Sequence, residues 1–132
     1  MNVLLSIKPK YVEEIMNGNK RYEFRRSIFR CREDIELVYI YSTSPVKKIV
    51  GVFTIKNIIE DHPRNLWENF KEFSGIEKEE FFSYFGDCKN GFAIGIGGVE
   101  VFEDPIDPKI SIPGFVTPQS FCYVDECWGL GK

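Results

Sequence analysis

The chain has 132 residues, 43% of them hydrophobic, 28% charged and 15% aromatic, with a net charge of −3. That length and composition suit one globular domain, residues 1–132, able to bury roughly two-thirds of its unfolded surface, and they argue against disorder except at the ends. The acidic total argues against a strongly basic duplex binder, yet the charge is uneven: residues 1–66 carry twelve Lys/Arg against eight Asp/Glu, and residues 67–132 carry five against twelve.

Val3-Leu4-Leu5-Ser6-Ile7 reads as a short buried strand stopped at Pro9. Pro9 then opens a helix over residues 10–17 in which Val12, Ile15 and Met16 share one side and Glu13 and Glu14 face water. Asn17-Gly18 supplies its left-handed stop. In the following segment Tyr22 and Phe24 alternate with Arg21, Glu23 and Arg25, as in a strand with one apolar and one charged face. Glu23 and Arg25 therefore project together, and Lys20 must reach them from the turn.

Residues 36–41 and 48–55 are expected to form a hairpin around Ser42-Thr43-Ser44-Pro45. Leu66, Trp67, Phe70 and Phe73, then Phe81, Phe82 and Phe85, have helical spacing. Two further strands are expected at 91–96 and 99–102, with Gly95-Ile96-Gly97-Gly98 as the turn, and a last one at 121–124. Short strands with few helices argue for an α+β fold with a curled sheet or barrel, the helices covering an opening.

No apolar run approaches the ~20 residues of a membrane span, and the N-terminus lacks a basic stretch ahead of an apolar core. The expected setting is cytoplasmic, with no membrane partner and with Cys31, Cys88, Cys122 and Cys127 as reduced, buried thiols. His62 has no Cys or second His at ligand spacing, so no metal is expected. No cofactor motif is present either, since the glycines at 95–98 lack the Walker lysine and the dinucleotide pattern.

The strongest motif is Gly18-x-Lys20-x-x-Glu23-x-Arg25. Lys20 and Arg25 can grip a phosphate or carbonyl while Glu23 orients them or accepts from a base edge; read alone, the three equally describe an ion-pair network that binds nothing. Arg26, Arg30 and Arg32, interleaved with Tyr22, Phe24 and Phe29, either track a single-stranded backbone with stacked bases or form a solvated positive edge whose aromatics pack inward. Lys47 and Lys48 widen the same basic patch if the hairpin loop lies beside it, and Ser42, Thr43 and Ser44 suit a cleft rim, with turn chemistry as their bland explanation. Tyr41 is either a stacking ring or a core tyrosine.

With its flanks Ser6-Ile7-Lys8-Pro9, Tyr41-Ser42-Thr43-Ser44-Pro45-Val46 and Thr117-Pro118-Gln119-Ser120-Phe121, the motif resembles the ASCH family of the PUA-like superfamily, in its small stand-alone bacterial or phage form. The resemblance implies a PUA-like small β-barrel of mixed strands with two to four short helices packed at its openings. It also implies an RNA- or nucleotide-binding cleft around the motif, with Gly18, Lys20, Glu23, Arg25, Arg26, Tyr41, Ser42, Ser44 and Lys47 as candidate binding residues.

Within that family some members resemble amidohydrolases of N4-acetylcytidine that use a lysine, a threonine three residues later and a separate acid. Lys20 matches the lysine, but Glu23 stands in place of the threonine, which removes that nucleophile. Others resemble ribonucleases, for which Lys20 and Glu23 are the catalytic candidates. The alternatives to a binding module are thus a hydrolase on a modified nucleoside or RNA, and a small-molecule sensor or protein-interaction domain with a docking tail around Trp128.

Overall fold

In a computed structural model of the protein, residues 1–30, 32–125 and 128 are described. Strand β1 (Asn2–Ile7) leads through Lys8 into helix α1 (Pro9–Met16), which starts on proline and buries Val12 and Ile15. Strand β2 (Tyr22–Arg25), a 3₁₀ turn at Arg32–Asp34, and strands β3 (Leu37–Ser42) and β4 (Lys48–Asp61) follow. Helices α2 (Pro63–Phe70) and α3 (Lys78–Phe85), separated by a 3₁₀ turn at Lys71–Phe73, precede strand β5 (Gly91–Ile106), the short helix α4 (Pro108–Ser111) and strand β6 (Phe121–Val124).

The strands form one mixed six-stranded sheet in the order β2-β5-β4-β3-β1-β6. β1 runs parallel to β3, and the other neighbouring pairs are antiparallel. The apolar run in β1 is explained by burial on both faces. Val3, Leu5 and Ile7 join Val12, Ile15, Val38, Ile40, Phe53 and Ile94 in one cluster, while Leu4 joins Tyr39, Tyr41, Ile49, Val52 and Phe102 in another. A third cluster of Phe24, Leu66, Phe81, Phe85 and Ala93 seats α2 and α3 on the β2–β5 end of the sheet.

The expected turn at residues 95–98 is instead the interior of one long strand. β5 runs unbroken from Gly91 to Ile106 beside a β4 that continues to Asp61 rather than ending near residue 55. The glycines bring backbones together: a Cβ at Gly95 would overlap Asn57 Oδ1, and one at Gly97 would lie 2.6 Å from Thr54 Oγ1, which accepts a bond from the Gly98 N–H at 3.0 Å. The β4–β5 register slips on either side of Ile55, which bends the pair and curls the sheet.

Cys88 and Cys122 are half-buried, whereas Cys31 and Cys127 lie outside the described residues. Trp128 packs edge-on against Tyr39, with ring centres 5.1 Å apart, so its ring lies on the sheet rather than forming a free docking group. Among the described residues, no helix is long and apolar enough to cross a membrane.

Gly51 sits where a Cβ would lie 2.6 Å from the Glu100 carbonyl oxygen and 2.8 Å from Met16 Cε. Gly51→Ala is therefore expected to cost about 1–3 kcal/mol of stability through overpacking between two backbones, read as a lower urea midpoint at unchanged slope.

Candidate nucleotide-binding site

The turn after α1 delivers Lys20. Asn17 caps the helix with its N–H on the Glu13 carbonyl, Gly18 takes a φ of +85°, and the Lys20 N–H returns to the Glu14 carbonyl at 2.9 Å. The Lys20 stem then runs over Gly75, whose φ is +63° and where a Cβ would overlap it. Gly75 therefore belongs to the site although nothing in its sequence neighbourhood marks it.

The three charged groups of the motif meet in the interior. The side chains of Lys20, Glu23 and Arg25 are 2%, 9% and 9% exposed. Arg25 binds Glu23 Oε2 through Nε at 3.0 Å and Nη2 at 2.7 Å, and Lys20 Nζ stands 3.7 Å from Glu23 Oε1. Lys20 Nζ also donates to the Ser74 carbonyl at 2.7 Å and lies 5.0 Å from the Phe24 ring centre and 5.5 Å from that of Tyr11. Burial lowers the Lys20 amine below its ordinary value; the Glu23 charge opposes this and the Arg25 charge adds to it.

The rest of the Arg25 fork reaches the far edge of the sheet, with Nη2 donating to the Ser6 carbonyl at 2.7 Å and Nη1 to Ser120 Oγ at 3.2 Å. Ser6 completes the join, its Oγ donating to the Pro118 carbonyl and its N–H to the Ser120 carbonyl. Arg25 thus holds Glu23 in place and fastens β2 to the segment leading into β6. Nε, Nη1 and Nη2 of Arg25 each bond a protein group, and both Arg25 and Lys20 border the open space beyond.

That space is a cleft of about 620 Å³ lined by Lys20, Glu23 and Arg25 together with Ser6, Lys8, Tyr11, Phe24, Thr43, Ile76, Phe81, Tyr84, Pro118 and Gln119, among others. The volume is that of an ordinary small-molecule site. Its walls are largely apolar, and its charged lining balances: Lys8, Lys20 and Arg25 against Glu23, Glu79 and Glu80. Tyr11 donates to Glu80 Oε2 at 2.6 Å, and Lys10 bonds the same oxygen at 2.6 Å, joining α1 to α3 across the cleft wall. Burial and this bond to Glu80 raise the Tyr11 hydroxyl above its ordinary range, so it stays protonated.

The other sequence candidates lie elsewhere. Gly18, Arg26, Tyr41, Ser42, Ser44 and Lys47 do not line the cleft, and Thr43 is the hairpin-loop residue that does. Tyr41 points to the opposite face of β3, 1% exposed, with its hydroxyl 3.1 Å from Thr117 Oγ1. Ser42 is buried in β3, while Ser44 and Lys47 are exposed in the turn. The aromatics between the arginines pack inward: Tyr22 on Phe70, Phe24 on Phe81 and Phe29 on Phe121. Arg26 is exposed, its guanidinium 4.8 Å from the ring centre of Tyr84, a cleft-lining residue.

His62 caps α2 by accepting from the Arg64 N–H at 3.1 Å, and among the described residues no group of three His, Cys, Asp or Glu is placed to hold a metal. The cleft residues that sequence reasoning missed, Tyr11, Tyr84 and Gln119, come from segments distant along the chain. Pro118 and Gln119 stood in the flanking Thr117–Phe121 stretch, so their signal was present but carried no role.

Removing the Arg25 fork leaves Glu23 with a buried charge and frees the seam. Arg25→Ala is expected to lower stability by about 3–5 kcal/mol, measured by chemical denaturation. Arg25→Lys is expected to recover only part of this, because an ammonium cannot present the same planar fork.

Comparison with known proteins places these features. A sequence model of the ASCH domain matches residues 5–94. An ASCH domain-containing ribonuclease of Zymomonas mobilis is 27% identical over 82 residues, which make up 62% of this chain and 55% of that protein. The ATP synthase subunit alpha of Ureaplasma parvum serovar 3 is 26% identical over 106 residues, 80% of this chain and 13% of that one. The chain thus spans about half of the first relative and a small part of the second. The crystal structure of ASCH from Zymomonas mobilis superposes with a TM-score of 0.85 at 23% identity, covering 93% of this chain and 87% of that one. A serine-to-alanine mutant of the Zymomonas protein gives 0.86 at the same identity and coverage. These structures share the mixed, curled α+β architecture, and with the sequence match running from β1 into β5 across the whole Lys20–Arg25 motif, the chain belongs to the ASCH domain family.

Proposed function

We propose that this chain is a cytoplasmic RNA- or nucleotide-binding module that takes one nucleoside unit into the cleft over Lys20 and Glu23. The observation that carries the reading is the cleft itself: a largely apolar slot of about 620 Å³ whose floor is a buried, fixed lysine–carboxylate pair. Apolar walls suit the faces of a planar base, and a few convergent polar groups suit its edge. The balanced charge of the lining does not suit a run of phosphates. Phosphates therefore stay at the mouth, where Lys8 lines the rim and the exposed Arg26 lies over Tyr84. Membership of the ASCH family and the similarity to a protein named as a ribonuclease support RNA over other ligands.

A second reading, RNA cleavage at the same residues, is favoured by one feature. A lysine with a lowered pKa is closer to the neutral form that accepts a proton at physiological pH, and Glu23 is positioned to relay that proton. Arg25 is not assigned to the phosphate in either reading, because its fork is engaged within the protein.

Binding of fluorescent single-stranded RNA to wild type and to Lys20→Ala tests the first reading. A loss of about tenfold or more is expected, the scale of one charge-assisted bond at ~1.5–3 kcal/mol; unchanged affinity in the folded variant sinks it. Arg26→Ala is expected to leave base preference intact and to reduce the salt slope of binding by about one unit. Product analysis of the same mixtures separates reader from nuclease, since products that vanish in Glu23→Gln make the protein an enzyme.

A further inference from the structure

Among the described residues, Lys20 is the lysine that is buried, and it is buried in the wall of an open cleft. Its surroundings combine a long ion pair with a short bond to a neutral acceptor. Glu23 Oε2 is already bonded by Arg25, and Oε1 stands 3.7 Å from Nζ, longer than a good hydrogen bond. The short contact of Nζ is with a neutral acceptor, the Ser74 carbonyl at 2.7 Å. The remaining neighbours are the Phe24 and Tyr11 rings. A neutral amine directs one N–H to Ser74 and the other toward Glu23, which leaves its lone pair for an incoming group. Such a desolvated amine is the kind that forms Schiff bases.

We infer that Lys20 is a carbonyl-capturing nucleophile, and that the cleft takes a sugar aldehyde, namely the ring-opened C1′ aldehyde of a nucleotide that has lost its base. The inference rests on the nucleotide reading of the cleft and extends it to a second class of substrate. Nζ attacks the C1′ carbonyl carbon to give a carbinolamine, and a proton passes from nitrogen to the new hydroxyl. The hydroxyl takes a proton from solvent and leaves as water while the nitrogen lone pair forms the C=N bond, giving a protonated imine whose positive charge faces Glu23. The Glu23 carboxylate, fixed by Arg25 beside the same nitrogen, next accepts the C2′ proton. The electron pair forms C1′=C2′ as the iminium π pair moves onto nitrogen, giving an enamine. That nitrogen pair then returns to re-form C=N+ while the C1′=C2′ pair becomes C2′=C3′ and the C3′–O pair leaves with the 3′-phosphate, breaking the strand. Hydrolysis of the remaining imine returns the free amine and an unsaturated aldehyde. No oxidant or metal enters the balance.

The groups facing Nζ are Glu23 and Arg25 from β2, Tyr11 from α1 and the Ser74 carbonyl. Burial, the largest influence, lowers the amine below its ordinary range, so capture is expected to set in at lower pH than for exposed lysines.

The test is to incubate the full chain at neutral pH with a single-stranded oligonucleotide carrying one abasic residue and with cyanoborohydride, which reduces an imine to a stable secondary amine. An intact oligonucleotide of the same sequence is run in parallel for binding. A covalent adduct mapped by peptide mass spectrometry to Lys20, and its loss in Lys20→Arg, is the expected result. Because a buried substitution can unfold the chain, mapping the wild-type adduct decides the matter without the variant. An adduct spread over surface lysines, or none despite binding of the intact strand, overturns this inference alone. Absence of both adduct and binding overturns it together with the nucleotide reading.

Discussion

The architecture depends on one guanidinium. The sheet is open by backbone pairing, with β2 at one edge and β6 at the other, and a curled open sheet leaves two rows of polar backbone to be satisfied. Arg25 spans the gap from β2 to Ser6 on β1 and Ser120 at the entry to β6. Phe29 against Phe121, and the Tyr123 hydroxyl taking the Arg30 N–H at 2.7 Å, continue the same seam. Side chains close this barrel where strands do not.

That closure brings the charged motif into the interior. A buried arginine needs a carboxylate, and Glu23 supplies it two residues away on the same face of β2. Lys20 then lies against a carboxylate already engaged elsewhere. The lysine shares that carboxylate with Arg25 and makes its short bond to the Ser74 carbonyl instead. A design meant only for stability would replace such a group with an apolar one, since buried ion pairs rarely repay their desolvation. Its presence at the floor of a cleft is a feature of sites that bind or react.

The two sides of the cleft are built differently. The sheet side is held by β1, β2 and the Pro118–Ser120 segment, tied by backbone and guanidinium bonds. The helical side, α3, is anchored by Phe81 and Phe85 in the aromatic cluster and reaches α1 through the Glu80 bonds to Lys10 and Tyr11.

Local pattern was enough to locate β1, α1, β2, the β3–β4 hairpin and the aromatic helices: β1 is an apolar run stopped by Pro9, β2 alternates with period 2, and the helices repeat with period near 3.6. Parity in β2 likewise determined that Glu23 and Arg25 share a face, and the Asn17-Gly18 stop determined that Lys20 arrives from a turn. Composition could not show that β5 runs on through Gly95–Gly98, since glycines mark a turn and a close strand crossing equally well, and the opposing Asn57 and Thr54 decide between them. Nor could it show that Arg25 faces Ser6 and Ser120 rather than a phosphate, that Tyr41 points away from the cleft, or that Gly75 makes room for the Lys20 stem. Each of these depends on contacts between segments distant in the chain. Local sequence sets which way a side chain can point along its own strand or helix; only the curled sheet decides what it meets there.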